Sequence, residues 1–161
     1  MRLGVSGHQR LKDQAAWGWV ASRITEIVRG APASPVGVTS LAIGADQLFA
    51  NIILEHQGTL EVIKPFAEYG ERFAAGRDRQ EYERLLQSAR KVETLQKKGS
   101  DEEAYLEAGK RVVELAELLI AVWDEKPAAG LGGTADTVNY AIKQRTSIIL
   151  LNPILRRVRN L

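Results

Sequence analysis

The sequence predicts an α/β fold: a doubly wound, mainly parallel sheet of about six strands, with helices on both faces. Short apolar runs alternate with helical stretches of ten or more residues, the pattern of repeated βαβ units. The last two runs, Leu118–Trp123 and Ser147–Leu151, are continuously apolar, as in strands buried on both faces. This architecture is Rossmann-like, and 161 residues is the usual size of one domain, so residues 1–161 are predicted to form a single domain.

The predicted elements follow one another in order along the chain. Strands are expected at Leu3–Ser6, Val36–Ile43, Leu60–Ile63, Leu118–Trp123 and Ser147–Leu151, with a weaker one at Val92–Leu95. The helical stretches between them carry apolar stripes, at Trp17, Val20, Ile24 and Ile27; at Ala45, Leu48, Phe49, Ile52 and Ile53; at Leu106, Gly109, Val113 and Ala116; and at Ala135, Val138 and Ala141. Residues 67–100 are charged and mostly helical in pattern, with glycine breaks, and are predicted to carry a mobile flap.

Composition excludes several classes of protein. A content of 45% hydrophobic and 26% charged residues is that of an ordinary soluble chain, and the net charge of +2 argues against a nucleic-acid partner. The absence of cysteine excludes disulfides, thiolate metal sites and cysteine nucleophiles. With no apolar run of membrane-spanning length and no leader pattern, a cytoplasmic location and no membrane partner are expected. The arginines at 156, 157 and 159 are predicted to belong to a solvated tail.

The candidate ligand-binding residues follow the predicted strands. In an open parallel sheet, ligands bind beyond the carboxyl ends of the strands, where the strand order reverses. Three strand-end loops and one loop before a helix are rich in glycine and polar side chains, and they supply Ser6, Gly7, His8 and Arg10; Gly44 and Asp46; Trp123 and Asp124; and Gly130, Gly132, Gly133 and Thr134.

The last of these loops is predicted to hold a phosphate. Glycines let the backbone approach a ligand closely, and a helix N-terminus offers unpaired N–H groups to an anion. Thr134 adds a hydroxyl, although it fits equally well as a plain helix cap. Valine at Gly133 is expected to block the approach of the backbone and to disfavour any positive φ there, while the fold persists.

Most of the other candidate side chains fit either a ligand-binding role or an ordinary structural one. Asp46 and Asp124 fit a ribose or, for Asp46, a helix cap, and Trp123 fits a base or the core. His8 and Arg10 fit a ligand or solvent, whereas Asp136 is explained by the helix dipole. His56 is expected to lie at a helix C-terminus. No metal-ligand spacing links the two histidines, and neither the dinucleotide fingerprint nor the P-loop motif occurs, so no metal or cofactor is predicted.

Taken together, these motifs resemble the SLOG superfamily, a Rossmann-like group that includes the Lonely Guy hydrolases and the DNA-processing protein Smf/DprA. The resemblance spans nearly the whole chain and is to standalone bacterial-type members. Its motifs are Gly4-Val5-Ser6-Gly7-His8, Ala42-Ile43-Gly44-Ala45-Asp46, Lys64-Pro65-Phe66, Val122-Trp123-Asp124 and Gly130-Leu131-Gly132-Gly133-Thr134-Ala135-Asp136. It implies a pocket for nucleotides or nucleotide-derived molecules and self-association into a homodimer or higher oligomer.

One departure from the family pattern bears on catalysis. The Lonely Guy hydrolases carry a glutamate three residues after the threonine of the glycine-rich loop, where this chain has Thr137. The resemblance therefore favours binding or sensing of a nucleotide. The alternative is hydrolysis of the N-glycosidic bond of a nucleoside 5′-monophosphate, with Asp46, Asp124 or Asp136 as the catalytic carboxylate. Single-stranded DNA binding of the DNA-processing type is a third interpretation, disfavoured by an aromatic content of 6%.

Overall fold

Seven strands and five α-helices form the part of the chain that the structure, a computed structural model, describes: residues 1–127 and 131–161. The strands are β1 (Arg2–Gly7), β2 (Val36–Thr39), β3 (Thr59–Lys64), β4 (Ala89–Thr94), β5 (Leu118–Val122), β6 (Ser147–Asn152) and β7 (Arg157–Asn160). The helices are α1 (Ala16–Gly30), α2 (Ala45–Glu55), α3 (Arg77–Gln87), α4 (Asp101–Leu115) and α5 (Thr134–Gln144), and a short 3-10 helix spans Tyr69–Arg72. Within these ranges no helix has the length and apolarity that crossing a bilayer requires.

The strands form one sheet in the order β4-β3-β2-β1-β5-β6-β7. The first six are parallel, and β7 pairs antiparallel with β6. The chain winds outward from β1 to β4, then crosses back to β5 on the other side of β1, so the strand order reverses between β1 and β5. There Gly7 lies opposite Val122. The predicted doubly wound, mainly parallel, Rossmann-like sheet is confirmed.

Helices cover the sheet on both faces, and each helix buries one apolar stripe. On one face α1 and α2 pack together, and on the other α4 packs against α5. The buried stripe of α1 runs at a spacing of four residues, and that of α4 does the same: Ala16, Val20, Ile24 and Val28; Ala104, Ala108 and Val112. Part of the predicted stripes therefore lies at the margins of the core, since Trp17, Ile27, Leu106 and Gly109 are only half-buried.

The structure corrects two boundaries of the sequence prediction. Strand β2 ends at Thr39 rather than Ile43, because the chain turns at Leu41, whose φ is 59°. The tail predicted to be solvated is indeed exposed, but its residues form strand β7 instead of an irregular end. Its Arg157 donates to the Glu125 carboxylate at 2.9 Å, and Arg159 pairs with the same group, so these ion pairs and the β6 ladder order the segment.

The segment at 67–100 contains more regular structure than its composition indicated. After β3 come the 3-10 turn, α3 and the edge strand β4, which includes most of the weak apolar run at Val92–Leu95. An aromatic cluster formed by Phe66, Tyr69, Phe73, Tyr82 and Tyr105 holds the segment against α4, with neighbouring ring centroids 4.4–6.1 Å apart. That this segment moves as a flap stays a prediction.

Candidate functional site

A cleft of about 830 Å³ lies beyond the carboxyl ends of β1 and β5, at the reversal of strand order. This is the place where open parallel sheets bind ligands, and the volume falls within the range of about 300–1,000 Å³ that small-molecule sites occupy. The structure brings most of the predicted site residues into its lining, namely Ser6, Gly7, His8, Arg10, Asp46, Trp123, Asp124, Gly132, Gly133 and Thr134. Gly44 and Asp136 lie outside the lining, and Gly130 lies outside the described residues.

The loop after β1 is held between the ends of β5 and α2. A side chain at Gly7 would place its Cβ 2.6 Å from that of Ala45 and 2.7 Å from that of Val122, so only glycine fits at the reversal point. The His8 amide donates to the carbonyl of Val122 at 3.0 Å. The His8 imidazole joins this loop to the one after β5, because its Nε2 lies 3.2 Å from both the amide and the carboxylate of Asp124. Arg10 is exposed at the rim of the cleft.

Asp46 is a buried carboxyl in the wall of the cleft. It does not cap α2, whose N-cap is Gly44; instead it turns back to the end of β2. There it accepts hydrogen bonds from the Thr39 hydroxyl at 3.0 Å and the Ser40 amide at 3.2 Å. Burial outweighs these donors and raises the pKa of Asp46 to about 6. The cleft therefore contains a buried carboxyl whose pKa lies above the ordinary carboxyl range.

Gly44 has a structural role beneath the first loop. Its φ of 85° and ψ of −121° suit glycine alone, and a Cβ there would meet the carbonyl oxygens of Gln9 and His8 at 2.4 and 2.5 Å. The next amide, that of Ala45, already donates to the His8 carbonyl at 3.1 Å. The start of α2 is thus closed by the loop after β1, and Gly44 serves that packing.

The start of α5 is open to the cleft. Gly133 is its N-cap, and the Gly133 carbonyl accepts from the amides of Asp136 and Thr137 at 3.1 and 3.3 Å. The amides of Thr134 and Ala135 have no partner among the described residues, and both residues line the cleft. Because Thr134 is the first helical residue, its interpretation as a plain N-cap is wrong. Two amides without a described partner at the start of a helix are an arrangement typical of anion sites.

Gly132 and Gly133, the two described glycines of this loop, have different structural roles. Gly133 has an ordinary φ of −78°, so valine there would meet no strain from a positive φ; the positive φ of this loop is at Gly132, at 82°. Gly132 packs on α4, where a Cβ would lie 2.6 Å from the Glu102 carbonyl oxygen. The Asp136 carboxylate accepts from the Gly132 amide at 2.9 Å, so it fixes the loop in addition to facing the helix dipole.

Trp123 lies both against the core and in the lining of the cleft, and its stacking on a base stays a prediction. Its ring is partly buried against the core on the α4–α5 face and also lines the cleft. The indole N–H donates to the Lys126 carbonyl at 2.9 Å, which orients the ring in the loop after β5. His56 lies at the C-terminus of α2 as expected, with its Nδ1 2.9 Å from the Ile52 carbonyl oxygen.

One wall of the cleft was missed by sequence reasoning. It comes from the segment after β3 and from the first turns of α4, and includes Tyr69, Arg72, Phe73, Asp78, Tyr105 and Gly109. Its position along the chain could have indicated this wall, because the segment follows the carboxyl end of β3, at the same edge of the sheet as the other loops. Arg10, Arg72 and Lys126 bring positive charge to the lining. No group of side chains suited to a metal ion occurs in residues 1–127 or 131–161.

The fold and the cleft define a Rossmann-like protein with an open cleft at its topological switch point. No family model and no curated protein matches the sequence. Among solved structures, DNA processing protein A from Helicobacter pylori, described by its single-stranded DNA binding mode, matches with a TM-score of 0.66 and 14% identity over 93% of this chain. DNA processing protein A from Streptococcus pneumoniae matches with a TM-score of 0.68 and 14% identity over 92%. The Moco carrier protein of Chlamydomonas rheinhardtii matches with a TM-score of 0.56 and 16% identity over 94%.

These likenesses establish the fold. They confirm the architecture that the resemblance to the SLOG superfamily implied, since Smf/DprA belongs to that group. The chain spans 64% and 49% of the two DNA processing proteins and 75% of the Moco carrier protein. Self-association, the cytoplasmic location and the absence of a nucleic-acid partner stay predictions.

Proposed function

We propose that this chain binds a nucleotide or a nucleotide-derived ligand in the cleft, with a phosphate at the start of α5. The observation that carries the proposal is the pair of backbone amides at Thr134 and Ala135. They donate no hydrogen bond to any described residue, and both residues line the cleft at the ends of β1 and β5. Aligned amides and the positive end of a helix dipole favour a phosphate over a neutral group.

The remaining parts of a nucleotide find suitable partners around this anchor. The Thr134 hydroxyl adds a donor for the phosphate, and Arg10 and Lys126 supply positive charge at the rim. Asp46 and Asp124 offer carboxylate oxygens to the ribose hydroxyls. Trp123 offers an aromatic face to the base. The ligand is held, on this proposal, by loops from three strands and one helix.

Calorimetric titration with a panel of nucleoside monophosphates tests the proposal. Gly133→Val should lower the affinity at least about tenfold, because a β-branched side chain at the N-cap obstructs the approach of a phosphate to the two amides. Gly18→Val is the matched control, since Gly18 lies in α1 with open space around it. Absence of binding by every nucleotide refutes the proposal, and so does equal affinity of wild type and Gly133→Val.

Single-stranded DNA provides a further arm of the same experiment, because one protein of similar fold is described as binding it. Mobility shifts at increasing salt distinguish a phosphate-backbone interaction from binding of one nucleotide. An oligonucleotide that binds while all free nucleotides fail would replace the proposed function by a DNA-binding one.

A second candidate function, N-glycosidic hydrolysis of a nucleoside 5′-monophosphate, is favoured by the buried carboxyl of Asp46. In this reaction water adds to C1′ of the ribose, and the base leaves with a proton. A carboxyl with a pKa of about 6 that lines the cleft can exchange that proton at neutral pH. Asp124 also lines the cleft, whereas Asp136 is occupied by the Gly132 amide outside it.

Release of free base from AMP tests this second function. Asp46→Asn should abolish the release and Asp124→Asn should reduce it, while Asp136→Asn, which keeps an acceptor for Gly132, should leave the rate unchanged. If wild type binds AMP without releasing adenine, the chain is a binding protein. If Asp46→Asn retains the full rate, Asp46 does not exchange the proton.

A further inference from the structure

Arg72 lies in the wall of the cleft, where it contacts Asp101 and the Phe66 ring. Its Nε donates to the Asp101 carboxylate at 2.6 Å, and its guanidinium carbon lies 5.2 Å from the centroid of the Phe66 ring. Lys97 pairs with the same carboxylate and lies 4.8 Å from the same ring. The Nε contact leaves both terminal nitrogens of Arg72 without a hydrogen bond to any described residue. A guanidinium fixed through one nitrogen presents its other donors to a ligand.

The first turn of α4 fixes Arg72 next to the start of α5. Asp101 opens α4, which is secured by a reciprocal cap between Ser100 and Glu103. Gly132 packs on the same turn, with its α-carbon against the Glu102 carbonyl. The residue that anchors the Arg72 guanidinium and the residues on which the glycine loop packs, Glu102, Tyr105 and Leu106, thus all belong to the first two turns of α4. Arg72 and the glycine loop before α5 therefore both pack on the N-terminal part of α4, and both line the cleft.

We propose that Arg72 binds a second anionic group of the ligand, so that the cleft selects nucleotides that carry a diphosphate over monophosphates. This inference rests on the proposed function, because the first phosphate occupies the open amides of α5. The second phosphate accepts from the terminal nitrogens of Arg72, and Asp101 acts as a positioning residue that never touches the ligand. The net positive charge of the Arg72–Lys97–Asp101 group supports an anion at this end of the cleft.

The test compares matched pairs, AMP with ADP and GMP with GDP, by calorimetry in magnesium-free buffer. Wild type should bind each diphosphate at least about tenfold more tightly than its monophosphate, as expected for a charge-assisted guanidinium contact. Arg72→Gln should abolish this preference while leaving monophosphate affinity within about twofold, because on this proposal a single phosphate is held by the α5 amides and not by Arg72. Arg72→Lys should retain part of the preference, since an ammonium keeps the charge and loses the fork.

Two further variants separate positioning from general charge. Asp101→Asn should weaken diphosphate binding and leave monophosphate binding unchanged. Arg77→Gln removes the same charge from an exposed residue at the start of α3, outside the cleft lining, and should change neither affinity. Circular dichroism checks that each variant is folded.

The outcomes distinguish this inference from the proposed function. Equal affinity of wild type for the two members of each pair overturns the Arg72 inference and leaves the proposed function standing. A preference that survives in Arg72→Gln assigns the second anion to another residue and also overturns it. Failure of every mono- and diphosphate to bind overturns both.

Discussion

The starts of α2 and α5 lie at the same edge of the sheet and follow glycine-bearing loops, yet only one is open. At α2 the Ala45 amide donates to the His8 carbonyl, and Gly44 is pressed beneath the loop after β1. At α5 the amides of Thr134 and Ala135 have no partner among the described residues. A neighbouring strand-end loop therefore decides whether the amide at a helix start is hydrogen-bonded within the protein or has no described partner.

The acidic residues in the first turns of α2 and α5 also differ in what their carboxylates bind. Asp46 of α2 turns away from its own amides to the end of β2 and is buried. Asp136 of α5 reaches back to the Gly132 amide and fixes the loop that precedes its own helix. The α2 start thus depends on tertiary contacts, whereas the α5 start is organised largely by local ones. Substitutions at the two starts should therefore differ in size and in kind.

The largest expected effect belongs to Gly44→Ala. The new Cβ would lie 2.4 Å from one carbonyl oxygen and 2.5 Å from another, in a backbone conformation that only glycine adopts without strain. We expect the free energy of unfolding in urea to fall by roughly 3 kcal/mol or more. Gly18→Ala in the open face of α1 is the control and should stabilise by about 0.5–1 kcal/mol. A loss below about 1 kcal/mol for Gly44→Ala would mean that the α2 start is not closed by this loop.

The next effect concerns pH and Asp46. Its folded-state pKa of about 6 exceeds the ordinary value of 3.8, so between these pH values the unfolded chain loses the proton first. The free energy of unfolding should fall across this window as pH rises, by up to about 3 kcal/mol, and the penalty should persist above it. Asp46→Asn cannot ionise and keeps an acceptor for Thr39, so it should gain stability relative to wild type between pH 4 and pH 8. Denaturant unfolding at both pH values measures this difference, and an equal difference at the two would contradict it.

The smallest effect is expected at the open start, from Asp136→Ala. This change removes one charge-assisted hydrogen bond to the Gly132 amide and a favourable charge near the α5 dipole. The free energy of unfolding should fall by roughly 1–2 kcal/mol. Asp136→Asn keeps the acceptor and should lose less than half as much. Equal losses for the two variants would show that the charge matters more than the hydrogen bond.

The location of the site was predictable from the sequence because it follows from strand order and residue type alone. Parallel strands bring their carboxyl ends to one edge, and the polar, glycine-bearing loops after β1 and β5 mark the reversal. Periodicity identified α5, and the glycines ahead of Thr134 identified its start. These are local signals, and the structure places the corresponding residues around one cleft.

Contacts between segments distant in sequence were not predictable. Arg72 enters the cleft wall because Asp101, 29 residues later, binds it, and no pattern in either segment encodes that pairing. The closed state of Gly44 depends likewise on the loop after β1. Strand β7 was missed because a short strand with a single apolar residue, Val158, has too little alternation to be distinguished from a charged tail.

Strand β7 also protects the strand beside it. In β6 four successive apolar residues, from Ile148 to Leu151, would otherwise offer an unpaired edge to any extended chain. The outer edge instead presents bulky cationic side chains, Arg157 and Arg159, anchored to Glu125. Charged residues on a short terminal strand discourage intermolecular β-sheet growth. The apolar run of β6 is thereby hydrogen-bonded on both sides, to β5 and to β7, and a short charged strand forms the outer edge of the sheet.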